Sequence, residues 1–129
     1  MDANIRQHAV FNAQAKRIYE ILLDTAAFSA FTGGAAAQID PRAGGAFSMF
    51  GGMIAGRTIE LAPYRRIVQA WRVGNWPEGV YSIVRFDLDT VGAATRLTLT
   101  QTGFPEDDRE HLASGWPARY FEPLRAYLG

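Results

Sequence analysis

Two histidines, one acidic run and three glycine pairs are the parts of this sequence whose residue types could do chemistry. His8 and His111 stand at opposite ends of the chain without metal-like spacing to acids, and cysteine is absent, so no metal site is expected. Glu106 to His111 reads EDDREH and could supply an acid–base pair, but it sits where a helix begins, and acids there complement the positive end of the helix dipole. Gly44-Gly45 and the run Gly51-Gly52-Met53-Ile54-Ala55-Gly56 invite comparison with phosphate loops. No Gly-Lys-Ser/Thr follows and no helix starts there, so hairpin turns explain them. No Gly-x-Ser-x-Gly elbow appears either. Binding is favoured over catalysis, and no cofactor is expected.

The remaining chemical signal is polar residues on faces that otherwise read as buried. Alternate side chains of a strand share one face. In YSIVRFDLD this turns Ser82, Val84, Phe86 and Leu88 inward, and in the next strand Leu97, Leu99 and Gln101. Gln69 shares parity with Ile67 and Trp71, and Arg57 with Met53, Ile59 and Leu61. Arg57, Gln69, Ser82 and Gln101 are therefore expected to face the core. An unpaired buried polar group costs about 1–3 kcal/mol, so they should pair with one another, hold water or meet a ligand.

The elements that would position these residues are legible. Ile5 to Phe11 is a strand-compatible run ending at Asn12, a residue suited to cap a helix. AQAKRIYEILLD has one apolar helical stripe, Ala15, Ile18, Ile21 and Leu22, which predicts a helix near 14–23. A second short helix fits Thr25 to Phe31, closed by Gly33-Gly34. Glycines and Pro63 then punctuate strands near 36–39, 46–50, 53–61, 67–73, 80–89 and 94–102. Beyond Pro105, Leu112, Trp116, Tyr120, Leu124 and Leu128 recur every four residues, a helix near 107–127 interrupted around Pro117 and Pro123. The sum is α+β: a curved antiparallel sheet of six to seven strands around a long C-terminal helix, in one domain over residues 1–129.

Composition agrees. Hydrophobic residues make up 48% of the 129 and charged ones 20%, as in a folded domain. Thirteen basic residues balance thirteen acidic ones, which gives no net field for nucleic acid. With no cysteine, no leader and no long apolar run, a cytoplasmic protein that does not span a membrane is expected.

The words GGAFSMFGGMIAG, ELAP, IVQAW, WPEGVYSIV, TRLTLTQTGFP and GWPARYFEPL closely resemble the C-terminal domain of the activator of heat shock protein 90 ATPase, a START-like, pollen-allergen-like helix-grip family. The anchors include Gly44, Gly45, Gly52, Gly56, Pro63, Trp71, Trp76, Pro77, Gly103, Gly115, Trp116 and Tyr120. The resemblance implies the grip fold with two short helices after the first strand. Superfamily members often hold a hydrophobic ligand between helix and sheet, others are cyclases or dehydratases, and the namesake is a co-chaperone. Three functions follow as expectations: a small hydrophobic or aromatic ligand first, a chaperone or other stress-related protein contact second, an enzyme third. The ligand site is expected between the C-terminal helix and the concave sheet face. Its lining would be Arg57, Gln69, Trp71, Phe86, Gln101, Trp116 and Tyr120, with Arg57 as anchor for a carboxylate or carbonyl unless it pairs with Glu60.

Overall fold

Seven strands pair consecutively except the first, which crosses to the far edge and lies against the last. In the computed structural model, which describes residues 4–129, they are β1 (Ile5–Phe11), β2 (Gln38–Ile39), β3 (Ala46–Met49), β4 (Ile54–Ala62), β5 (Arg66–Val73), β6 (Ser82–Val91) and β7 (Ala94–Thr102). The order across the sheet is β1-β7-β6-β5-β4-β3-β2, and every pairing is antiparallel. Two short helices, α1 (Ala15–Leu23) and α2 (Thr25–Phe31), follow β1. A C-terminal helix lies along the concave face: a tight turn at Glu106–Asp108, then α3 (Arg109–Trp116), a wide turn at Pro117–Phe121 and α4 (Glu122–Leu128). This is the helix-grip architecture expected. Among the described residues no helix is long and apolar enough to cross a membrane.

The alternation read in β5, β6 and β7 holds. Ile67, Gln69, Trp71, Ser82, Val84, Phe86, Leu88, Leu97, Leu99 and Gln101 are all buried. The helical stripe of Leu112, Trp116, Tyr120 and Leu124 closes over them. Rings fill the space between: Trp71 and Trp116 centroids lie 5.4 Å apart, Trp116 and Tyr120 4.6 Å, and Phe86 stacks on Tyr120 at 6.0 Å.

The reading of β4 fails. Met53 and Ile59 are half exposed, Arg57 is exposed, and the inward residues are Ile54 and Thr58. Thr58 pairs with Gln69 and Glu60 with Val68, so Ile59 is an extra residue in the ladder. Such a bulge shifts the face of everything beyond it by one residue. Ile54 and Leu61, of opposite parity, can therefore both look inward, and a register extended back from Leu61 places Arg57 on the wrong side.

Caps differ from expectation too. Asn12 does not cap α1, which begins after Gln14 without a side-chain cap. Asp24 instead caps α2 by accepting from the Ala27 N–H at 2.8 Å.

Candidate functional site

β5, β6 and β7 deliver Trp71, Ser82 and Gln101 to one spot under α3, and a fully buried chain of hydrogen bonds joins them. Ser82 Oγ–H donates to the Trp71 carbonyl at 2.8 Å, Gln101 Nε2 donates to Ser82 Oγ at 3.0 Å, and Trp116 Nε1 donates to Gln101 Oε1 at 2.9 Å. Gln101 is thereby paired at both ends of its amide. Buried polar groups matched in this way fix the rotation of the helix over the sheet.

Of the seven residues expected to line a site, the structure brings six into the buried interior, and Arg57 is the exception. Arg57 lies on the outer face of the sheet and donates from Nη1 to the Gly44 carbonyl at 3.0 Å, bracing the turn before β3. Neither the interior nor Glu60 receives it. Gln69 is buried beside Thr58, and Gln69 Oε1 and Thr58 Oγ1 both lack a partner among the described residues. Phe86 backs Trp116 and Tyr120 from below.

Trp71, Trp116 and Tyr120 line the space that remains, a cleft of about 50 Å³ between α3, the wide turn and the residues joining β3 to β4. An engineered apolar cavity of about 150 Å³ is what admits benzene, and drug-sized ligands occupy roughly 300–1,000 Å³. The grip is thus mostly filled by its own side chains.

The wide turn shapes this cleft. Pro123 has no N–H to give the Arg119 carbonyl, and Glu122 N–H bonds back five residues to the Pro117 carbonyl instead. Single π-turns inside a helix are rare and often fall at functional sites. Here it sets Arg119 at the rim and Tyr120 inside. Burial pushes the Tyr120 hydroxyl far above the usual phenol range, offset in small part by the nearby Trp71 indole N–H. Neither group attains hydrogen-bond geometry with a partner among the described residues.

His111, Gly115 and Arg119, also at the cleft, were outside the expected set. They share one four-residue spacing beside the apolar stripe of α3, and that flank of the stripe is the signal that could have found them. The NWPEG loop folds over the core: Trp76 is buried, its Nε1 donates to Asp108 Oδ2 at 2.6 Å, and Arg72 binds the Trp76 and Pro77 carbonyls. Asp108 of the acidic run thus holds a tryptophan.

Comparison with known proteins supports the family resemblance. Residues 12–129 match the family described as Activator of Hsp90 ATPase homolog 1-like protein. An uncharacterised protein of Schizosaccharomyces pombe is 32% identical over 98% of this chain and 38% of its own length. The human activator of 90 kDa heat shock protein ATPase homolog 1 is 29% identical over 92% of this chain and 35% of its own. The chain therefore spans about a third of the length of the curated relatives it matches. A crystal structure of an HSP90 activator from Plasmodium falciparum superposes with a TM-score of 0.91 at 24% identity, covering 98% of this chain and 96% of that one, which establishes the shared fold. On the match over residues 12–129, the chain belongs to the Activator of Hsp90 ATPase homolog 1-like family.

Proposed function

We propose that this chain is a protein-contact domain for an Hsp90-class chaperone, and that it makes contact through the sheet face that no helix covers. The observation that carries this reading is charge. Strand pairing puts Arg6, Arg57, Arg66, Arg72, Arg85 and Arg96 on that face, against Glu60, Asp87 and Asp89, in a chain of zero net charge. Six guanidinium groups against three carboxylates leave a basic surface, with Ile83 and Tyr81 exposed beside it.

Some of these arginines are spent. Arg66 and Arg85 converge on Asp87 at 3.1 and 2.7 Å, and Arg72 holds the Trp76 loop. Arg6 and Arg96 have no partner among the described residues, which leaves both forks for an acidic surface. Family membership supplies the class of partner, since relatives carry the name of activators of the 90 kDa heat shock protein ATPase. The filled grip argues the same way, because about 50 Å³ leaves no room for a lipid-sized ligand.

The test measures binding to an Hsp90-class chaperone, and its ATP turnover, with wild type and with Arg6→Glu/Arg96→Glu, at low and raised salt. Steering by a charged face should make association slow about tenfold in the variant and lose most of its salt dependence, with melting unchanged. Wild type that neither binds nor alters turnover at low salt refutes the reading. Equal, salt-insensitive binding by both proteins moves the contact to another face.

A further inference from the structure

The two edges of the sheet are finished differently. β2 is two residues long, and the Thr25 hydroxyl accepts from the Ile39 N–H at 2.9 Å and donates to the Ile39 carbonyl at 3.4 Å, which closes its outer backbone. β1 runs for seven residues, and among the described residues no strand covers its outer side. An open edge is a template for another strand, and most proteins blunt it.

Here only the ends are blunted. Arg125 of α4 stacks over the Phe11 ring at 5.0 Å and donates to the Val10 carbonyl at 2.8 Å, and Arg109 of α3 donates to the Asn4 carbonyl at 3.0 Å. The Val10 carbonyl therefore points away from β7. Backbone direction alternates along an antiparallel strand, so Arg6 and His8 turn their N–H and C=O groups the same way, into the stretch between the two arginines. From Asn4 to Val10 that stretch measures about 20 Å.

A groove of about 510 Å³ lies along it. One wall is β1 from Arg6 to Ala9, and the other is Pro117 and Phe121 of the wide turn with Glu122 and Arg125 of α4. Gln7 sets the spacing of the walls: Pro117 has no N–H for the Ala113 carbonyl, and Gln7 Nε2 supplies one at 2.8 Å. The charge is one-sided. Arg6 and Arg125 line the groove, with His8 between them, against one carboxylate, Glu122.

We propose that the free edge of β1 accepts an extended acidic segment of a partner protein as an added strand, which exchanges main-chain hydrogen bonds with Arg6 and His8. Residues directly opposite in a sheet share a face. The segment's residues opposite Arg6 and His8 therefore stand on the convex side and are acidic, and those between them face Ala9, Pro117 and Phe121 and are apolar. A second copy of this chain does not fit, because β1 laid antiparallel on β1 brings the arginines and histidines of both copies together. Arg6 is shared with the convex-face contact, but main-chain pairing at an edge is a separate interaction.

Nuclear magnetic resonance titration of the full chain tests it with three synthetic peptides: acetyl-Glu-Val-Glu-Val-Glu-amide, the same with lysine for glutamate, and the acidic peptide N-methylated at its glutamates, whose N–H groups face β1. The acidic peptide should shift the Arg6 and His8 amides saturably and slow their hydrogen exchange about fivefold or more at saturation, because unpaired edge N–H groups become paired. At low salt it should bind about tenfold or more tighter than the lysine peptide, and N-methylation should abolish binding. His8→Pro removes an edge N–H that faces away from the sheet, where proline is tolerated, so the variant should stay folded and bind about tenfold weaker, the scale of one lost hydrogen bond. No shift at β1 with the acidic peptide overturns the proposal, and equal binding of both charges overturns its acidic chemistry. Binding that survives N-methylation or a folded His8→Pro runs through side chains alone and overturns strand addition. Sedimentation of a dimer that His8→Pro dissociates gives the edge to a second copy and overturns the proposal as well. The chaperone contact is judged separately, since His8→Pro leaves Arg6 and Arg96 in place.

Discussion

Replacing Gln101 by methionine separates a structural role from a ligand-binding one. The side chain is fully buried, so a residue of similar volume keeps the packing and removes only the amide. Trp116 Nε1 then loses its acceptor, while Ser82 Oγ–H keeps the Trp71 carbonyl. One orphaned buried donor costs about 1–3 kcal/mol. For a domain of 129 residues the entropy of melting makes 1 kcal/mol worth about 4 °C, so Tm should fall by about 4–12 °C. Scanning calorimetry and urea unfolding measure this, with an unchanged urea slope expected because the same surface is exposed on unfolding. Trp116→Phe removes the donor itself. In the double variant no N–H is left stranded, so its destabilisation should be smaller than the sum of the two single changes by about 1 kcal/mol or more. A Gln101→Met protein that melts with wild type, or a double variant that is simply additive, refutes the claim that this hydrogen bond holds the helix to the sheet.

Phe86→Ala should cost about 3–5 kcal/mol by urea unfolding, since the ring is 2% exposed and packs on both Trp116 and Tyr120; a loss under about 1 kcal/mol would mean that the core collapses into the gap. Gly56→Ala should prevent soluble expression or lower Tm drastically, because a Cβ there would overlap the Ala70 carbonyl oxygen and come within 2.8 Å of Phe47 Cζ, and a normal melt would show that β4 and β5 can part. Partial burial pushes the Asp87 carboxyl up, but hydrogen bonds and charge from Arg85 and Arg66 outweigh it and hold the group below the usual carboxylate range. A lowered folded-state value stabilises above the unfolded value and is lost as pH falls through the folded one, so the Tm gap between wild type and Asp87→Asn should be full at neutral pH and close in acid. A gap constant from pH 7 into the acid range would deny the ion pairs any role.

The sheet was readable where its ladders run without interruption. In β5, β6 and β7 strict alternation sorted ten residues to the correct face, and the four-residue stripe from Leu112 to Leu124 announced the helix that covers them. The same rule misplaced Arg57 because Ile59 is inserted opposite the Gln69–Val68 step of β5. A bulge leaves no residue type by which to recognise it, and MIAGRTIELA alternates acceptably in either register. Gln101 was rightly placed inside, but its role depends on which helical residue stands above it, and that rotation depends on the π-turn at Pro117–Phe121. Pro117 and Pro123 signalled an irregularity there. They did not signal that the extra residue in the turn would hold Arg119 at the rim of a cleft with Tyr120 inside.

A grip filled by its own aromatics changes what the fold can do. Trp71, Phe86, Trp116 and Tyr120 fill the space between helix and sheet, and their mutual contacts at 4.6–6.0 Å leave a small cleft of about 50 Å³ at the wide turn. A packed interior transmits rotation of the helix instead of absorbing it. The Trp116–Gln101–Ser82–Trp71 chain ties that helix to the two central strands whose outward residues include Arg72 and Arg85. The buried aromatics and the outer arginines therefore stand on opposite faces of the same strands. Gln101→Met, which cuts the buried chain and leaves Arg6 and Arg96 in place, should therefore weaken chaperone association as well as stability, and association equal to wild type would show that the outer face acts independently of the helix.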